Sequence, residues 1–476
     1  MARNRTAAFI AAGAGALLIL ELFLGAKIHL FFGDFRAFYC AGSAIVHGAD
    51  PYAAASLYPC ERADAPFGLY RALPGIAVPA PFPAYALLGF VPFGALPYLA
   101  ACTAWLLLLI ATSLACVFSF AKLTGVPRSG ALAVLACGFG VLVIPYGELA
   151  TVAMCALLGM ALALRRGAWN AAALWGAVLA IIPHVGVPAL LGVFLWQREM
   201  RVRLAIVAAV LTACDIAAAG VQSAVQYFTL VLPAHALSEV GSTSQYGLTW
   251  MLHALGASDA AAIKFGELSF ACMLAAGIAT AGVLVRRTQD AAYAALIPAA
   301  FVVLGGSFMH YTEIMLALPA AALLLRQTHG TLRAVFAAAL LLIALPWAWA
   351  LSQPILVVAF AAFGAAIASR ACGLRAQTAL RIALGCALLG TAVVAAGSHF
   401  GTGLAHGVSA HVDGSLAQAS WAQYVRTQRS SIGPVWWIAK APTWIGLALL
   451  TLGGVYLAAQ KDLVTPVAIE QTPVGA

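Results

Sequence analysis

The sequence predicts an all-α polytopic membrane protein with a long first extracytoplasmic loop, and three observations carry that prediction. Of its 476 residues, 63% are hydrophobic and 9% charged. A soluble domain has about 45–50% apolar and about 25% charged residues, so this chain lacks the polar surface to cover itself in water. The apolar residues run on in long stretches, without the alternation over about 10 residues that barrel strands require. The Lys and Arg residues behind the formal charge of +9 cluster in short gaps between those stretches, as cytoplasmic loops do. That placement points to membrane lipids as the polar partner and away from nucleic acid.

The opening "MARNRTAAFIAAGAGALLILELFLGAKIHLFF" has a basic start and an apolar run of about 25 residues. This is too long for the core of a signal peptide and long enough to span. It reads as an uncleaved first helix over 7–31, with Glu21 and Lys27 facing a bundle interior. If the later basic gaps are all cytoplasmic (Lys122 and Arg128, Arg165 and Arg166, Arg198 to Arg203, Arg286 and Arg287, Arg326 and Arg333, Arg370 and Arg375, Lys461), an even number of crossings separates neighbouring gaps. Helices at 99–121, 130–146, 149–164, 170–182, 185–196, 204–232, 259–285, 291–308, 312–325, 331–351, 354–370, 378–398 and 441–459 meet that condition. Both termini are then cytoplasmic.

Residues 33–98 form the external loop. Its stretch 79–97 is apolar but carries five prolines, so it is expected to lie on or dip into the outer leaflet without crossing. The second polar segment, 399–440, holds Trp421, Tyr424, Trp436 and Trp437, which are interfacial residue types. Its Arg426, Arg429 and Lys440 suit lipid phosphate. An interfacial anchor and a contribution to substrate binding both remain open there.

Several predicted helices are short. Thirteen residues reach about 20 Å, less than the hydrocarbon core of about 30 Å. Such helices are tolerated where they line a protein-walled cavity. The outer tips "YGE" (146–148), "IPH" (182–184) and "MHY" (309–311) are therefore expected to end in a recess open to the outside. Ten cysteines are present. Eight lie in apolar segments, while Cys40 and Cys60 share the first polar loop. If that loop is extracytoplasmic they could form a disulfide, and two free thiols fit equally well.

The polar residues of interest project to one side: Asp34, Arg36 and Tyr39 in the first loop, then Glu148, His184, Gln245, Tyr246, His310, Tyr311 and Glu313. A single external cavity could collect them. Asp34 follows Gly33 just beyond the first helix, and a carboxylate partly withdrawn from water is a stronger base. Asp50, Glu61 and Asp64 read as solvated loop charges. No Ser/His/Asp order, Gly-rich phosphate loop or His/Cys metal spacing appears, so neither metal nor cofactor is expected.

Residues 34–52, "DFRAFYCAGSAIVHGADPY", resemble the opening of glycosyltransferase family 87, an Asp-aromatic-x-x-Tyr pattern ending in Gly-x-x-Pro-Tyr. Further similarities follow in order: "PAPFP" (79–83) to a Pro-rich segment, "YGE" to a Gly-Gln position, "IPH" to a Lys-Pro position, "SQYGLTWML" (244–252) to an Asn-x-Ser-Leu region, and "MHYTEIMLALP" (309–319) to a His-Tyr segment. The resemblance covers about residues 7–350. It implies the GT-C fold, a polyprenyl-phosphate sugar as donor (mannose first among the sugars), and a lipid or glycan acceptor. It further implies Asp34 as general base and His310 at the donor phosphate. Arg36, Tyr39, Tyr52, Glu148, His184, Gln245, Tyr246 and Tyr311 are the substrate-binding candidates. Glu148 stands for a glutamine and Ile182 for a lysine, so one positive charge is missing, and His184 is the candidate to replace it.

On this reading residues 1–376 form the catalytic transmembrane module, 377–460 a C-terminal helix pair with the loop 399–440, and 461–476 a cytoplasmic tail. The expected location is the plasma (inner) membrane, with an extracytoplasmic active site. Two other classes compete: a transporter or flippase, which would place ionisable groups mid-membrane between internal repeats, and a non-catalytic polysaccharide-assembly protein.

Overall fold

The computed structural model describes residues 31–65, 69–136, 140–345, 412–429 and 434–460, with Trp347, Gln377 and Arg381. The expected first helix, the helices 354–370 and 378–398, the 376/377 boundary and the tail lie outside the described residues. The first loop holds α1 (Gly33–Val46), α2 (Ala54–Arg62) and a chain of short turns, α3 (Ala84–Gly94). The bundle follows: α4 (Tyr98–Thr124), α5 (Arg128–Ala136), α6 (Gly140–Tyr146), α7 (Ala150–Arg165), α8 (Trp169–Leu179), α9 (Pro183–Trp196) and α10 (Arg198–Glu239). It continues through α11 (Leu248–Ala254), α12 (Asp259–Thr288), α13 (Ala292–Gly305), α14 (Ile314–Gln327) and α15 (Gly330–Ala344). Two helices, α16 (Ala417–Arg429) and α17 (Pro434–Ala459), close the described chain.

Among the described residues, four helices are long and apolar enough to cross a membrane: α4, α10, α12 and the Ala439–Ala459 part of α17. The rest of the bundle is built from the short helices that the sequence predicts. The 16 residues of α7 reach only about 24 Å. They survive because the long helices shield them: most of α7 and all but one residue of α13 are buried. Small residues permit that packing. A Cβ added at Gly192 of α9 would lie 2.2 Å from the Ala294 carbonyl oxygen, so the two backbones approach as closely as membrane helices can.

The basic residues gather at one end of this bundle. Arg165 pairs with Asp290 at 2.5 Å and donates to the Leu123 carbonyl. Arg203 donates to Asn170, and Arg287 to the Gln460 carbonyl. The tips "YGE", "IPH" and "MHY" lie at the opposite ends of the same helices. Helix α10 departs from the expected helix ending at 232. It runs on through Pro233 to Glu239, 42 residues in all, or about 63 Å. This is twice a bilayer core, and it reaches the end that carries those tips with a kink at Gly220 (φ 80°) and a π-helical turn over Tyr227–Val231.

The Pro-rich stretch forms only the short helix α3. Its α3 folds back under α1, where a Cβ at Gly94 would lie 2.3 Å from the Ser43 amide nitrogen. Tyr85 ties it to the bundle, its N–H donating to Asp215 of α10 (2.8 Å) and its hydroxyl to the Ala180 carbonyl (2.8 Å). Cys40 and Cys60 are joined in a disulfide across a Cα separation of 5.7 Å, which pins α2 to α1. Alkylation without reductant followed by mass spectrometry is expected to leave both residues unmodified. Two alkylated thiols would refute the bridge.

Candidate active site

The carboxylate half of the site begins where the first loop meets the bundle. Phe32 adopts a left-handed conformation (φ 64°) and donates its N–H to the Pro145 carbonyl at 2.7 Å. The start of α1 is thereby clamped to the "YGE" turn. Asp34 falls in the first turn of α1, where the helix dipole favours an anion. Opposite it, Gly147 has φ 75°, and an added Cβ would lie 2.6 Å from the Cβ of Phe35. The Trp105 indole donates to the Gly147 carbonyl at 2.9 Å, and the Glu148 amide to Val143 at 3.0 Å. These contacts bring the Asp34 and Glu148 carboxyls into a hydrogen bond. Burial, followed by the charge of Glu148, raises Asp34 well above the usual carboxylate range. Burial also raises Glu148, against the pull of His310. The two carboxyls therefore lie in direct contact, and each is harder to ionise than in water.

Replacing Gly147 with alanine forces a left-handed backbone on a residue with a Cβ and drives that Cβ into Phe35. A loss of about 1–3 kcal/mol is expected, read as a lower thermal unfolding midpoint, with transfer activity falling as Asp34 and Glu148 separate. A variant with wild-type stability and activity would refute this role.

The histidine half lies in the segment between α13 and α14. A short antiparallel bridge pairs His310 with Gln245. Tyr246 N–H donates to the Met309 carbonyl (2.7 Å), Tyr311 N–H to the Ser244 carbonyl (3.1 Å), and Met309 N–H to Gln245 Oε1 (2.8 Å). Two carboxylates bracket the imidazole. Glu313 Oε2 accepts from the His310 backbone N–H at 3.0 Å, while its Oε1 meets His184 Nε2 at 2.8 Å. Glu239, at the end of α10, places Oε2 3.7 Å from His310 Nε2 and accepts the Trp421 indole N–H on Oε1. Burial works against a charged His310. The nearby charge of Glu239 outweighs it, with help from Glu313 and Glu148, and holds the imidazole at about 10. Burial likewise works against an ionised Glu313, but the His184 and His310 contacts outweigh it and keep that carboxyl below its ordinary range.

Asp34, Glu148, His184, His310, Tyr311 and Glu313 thus form one cluster. His310 lies near enough to act on Asp34 electrostatically, and Tyr311 packs edge-on against Tyr146. Gln245 and Tyr246 are buried just behind, in the bridged segment that supports His310. Three candidates are spent elsewhere. Arg36 is 2% exposed, donates to the Cys60 and Ala63 carbonyls and lies over the Tyr98 ring. It braces the loop from behind α1. Tyr39 donates to the Leu96 carbonyl and Tyr52 to the Phe82 carbonyl.

Two charge readings are corrected. Glu61 is not solvated. It is fully buried, accepts the Val78 N–H at 2.8 Å, and is raised by burial to about 8 despite that bond and Arg36. Lys440 does not face lipid phosphate. It is buried 3.6 Å from the Trp250 ring centroid and donates to the Gln245 carbonyl at 2.5 Å, propping the same segment.

Sequence reading missed Glu239 and His235. Their spacing of four places both on one helix face, but ending the helix ahead of Pro233 hid it. Among the described residues, no three His, Cys, Asp or Glu side chains converge in a metal-binding arrangement.

No curated protein and no solved structure matches the chain significantly. The model of Glycosyltransferase family 87 matches residues 81–304, just under half of the chain. Glu148, His184, Glu239 and Gln245 fall inside the match, while Asp34, His310 and Trp421 flank it. An all-α membrane bundle with carboxylates and imidazoles drawn to one end is thus similar, over its central helices, to glycosyltransferase family 87.

Proposed function

We propose that the protein moves a hexose, with mannose the first to be tested, from a polyprenyl-phosphate donor to a hydroxyl of a lipid or glycan acceptor. Transfer takes place on the extracytoplasmic face of the plasma (inner) membrane, and both termini are cytoplasmic. The observation that carries this reading is one cluster holding a carboxyl pair in direct contact, Asp34 and Glu148, beside a cationic His310. Asp34, once ionised, takes the proton of the acceptor hydroxyl. The acceptor oxygen bonds to the anomeric carbon from the face opposite the phosphate, and the configuration inverts. The carbon–phosphate-oxygen bond breaks as the new bond forms, and the phosphate leaves with the electron pair towards His310, a fixed cation where negative charge develops.

A long lipid also needs an apolar channel. A cavity of about 590 Å³ between α9 and α10 is lined by Val187, Leu191, Phe194, Leu211, Val225 and Phe228, and its chemistry suits a polyprenyl chain. The ionisable groups gather at one end of the bundle, which favours a transferase over a transporter with a mid-membrane site.

The test is incubation of the purified protein with radiolabelled polyprenyl-phosphate mannose, arabinose or glucose and a lipid extract, followed by product identification. Labelled sugar on a lipid or glycan is the expected result. No consumption of any donor would overturn the reading.

A further inference from the structure

Helix α16 lies more than 110 residues beyond the end of the family match, yet it is fastened to the first loop at several points. Leu416 bridges to Ala53. The Ala417 N–H donates to the Tyr52 carbonyl at 3.1 Å, and Ser420 Oγ accepts the Ala77 N–H at 2.9 Å. These ties aim Trp421 at the end of α10, where its indole N–H meets Glu239 Oε1. Glu239 is 3% exposed. Its second oxygen faces His310 at 3.7 Å and has no hydrogen-bond partner among the described residues. The terminal torsion of a glutamate is soft and roughly two-fold. A carboxylate held by nothing on Oε1 could turn away from the imidazole.

We propose that Trp421 is a positioning residue of the site: its indole N–H locks the Glu239 carboxylate in the orientation that faces His310, so α16 completes the phosphate-facing half of the cluster. The titratable groups facing His310 come from every element around it: Glu239 and His235 from α10, Glu313 from its own segment, Glu148 from the turn before α7, and Asp34 from α1. Among the described residues, Glu239 alone of these is held by a side chain from outside the central bundle.

The significance of the relay for transfer rests on the function proposed above, but its physical test does not. Trp421→Phe keeps most of the ring and removes the N–H. NMR of histidine-labelled protein in detergent follows the His310 imidazole, assigned with His310→Gln. The expected result is a His310 titration lowered by about one pH unit, the scale of one charge-assisted contact. No further shift is expected when the change is made in a Glu239→Gln background, because the effect passes through that carboxylate. The alkaline limb of transfer activity is expected to fall in step.

Should Trp421→Phe fail to fold, incorporation of benzothienylalanine at 421 replaces only the N–H by sulfur and keeps the packing. A His310 titration unchanged in the folded variant overturns the relay, whatever the activity. If wild-type protein consumes no polyprenyl-phosphate sugar, the function reading falls, and the titration still decides the relay.

Discussion

Replacing Asp34 with asparagine is expected to lower glycosyl transfer by about 10²–10⁴-fold, the contribution of one well-placed general base. The protein is expected to fold and to bind donor as before, because asparagine keeps the volume and can still hydrogen-bond Glu148. The pH profile makes the prediction sharper. The base works only when ionised, and burial together with Glu148 raises Asp34 above its ordinary value. The acid limb of the wild-type profile is therefore displaced upward from about pH 3.9, and activity grows as the proton leaves. Glu148→Gln removes the like charge, lowers the Asp34 pKa and moves that limb to lower pH. Purified Asp34→Asn turning over within a factor of a few of wild type would assign the base to another group.

The second large effect is expected from Glu239→Gln. Glu239 supplies the strongest pull towards a charged His310, which otherwise faces the cost of burial. Without it the imidazole becomes neutral at lower pH. A fall of about two units would leave His310 roughly one-tenth charged at pH 9, so transfer there is expected to drop about tenfold, with a higher KM for donor. At pH 6 the variant is expected to come closer to wild type. The same contact affects stability, with a definite sign. A histidine raised on folding contributes stability that is complete below its unfolded value of about 6.5. That contribution is lost as pH rises through about 10. The wild-type thermal midpoint is therefore expected to decline across that window, and the variant to show a smaller decline that ends about two pH units earlier. Superimposable pH profiles for the two proteins would remove Glu239 from the mechanism.

Much of the architecture was legible without coordinates. Apolar runs, basic gaps and the parity rule located the helices, and the shortness of "YGE", "IPH" and "MHY" helices pointed to a recess, because a half-length apolar helix has few stable surroundings. Other readings met a different arrangement. Arg36, Tyr39 and Tyr52 looked like substrate contacts because they are polar residues in the first loop. In the structure their polar side chains donate to backbone carbonyls of that same loop. Glu61 and Lys440 looked solvated because their neighbours in sequence are polar, yet each is enclosed by segments distant in the chain.

The sequence by itself determined the solvent this protein needs, the order of its helices and the chemical kinds of group at one end. These follow from local composition and period, since lipid rewards apolar surface wherever it occurs along the chain. Only the tertiary structure decided which groups meet: Asp34 with Glu148, His184 with Glu313, and His310 with a Glu239 that Trp421 holds from nearly two hundred residues away. Such pairings depend on backbone approach and side-chain direction across elements, and no periodicity within a segment encodes them.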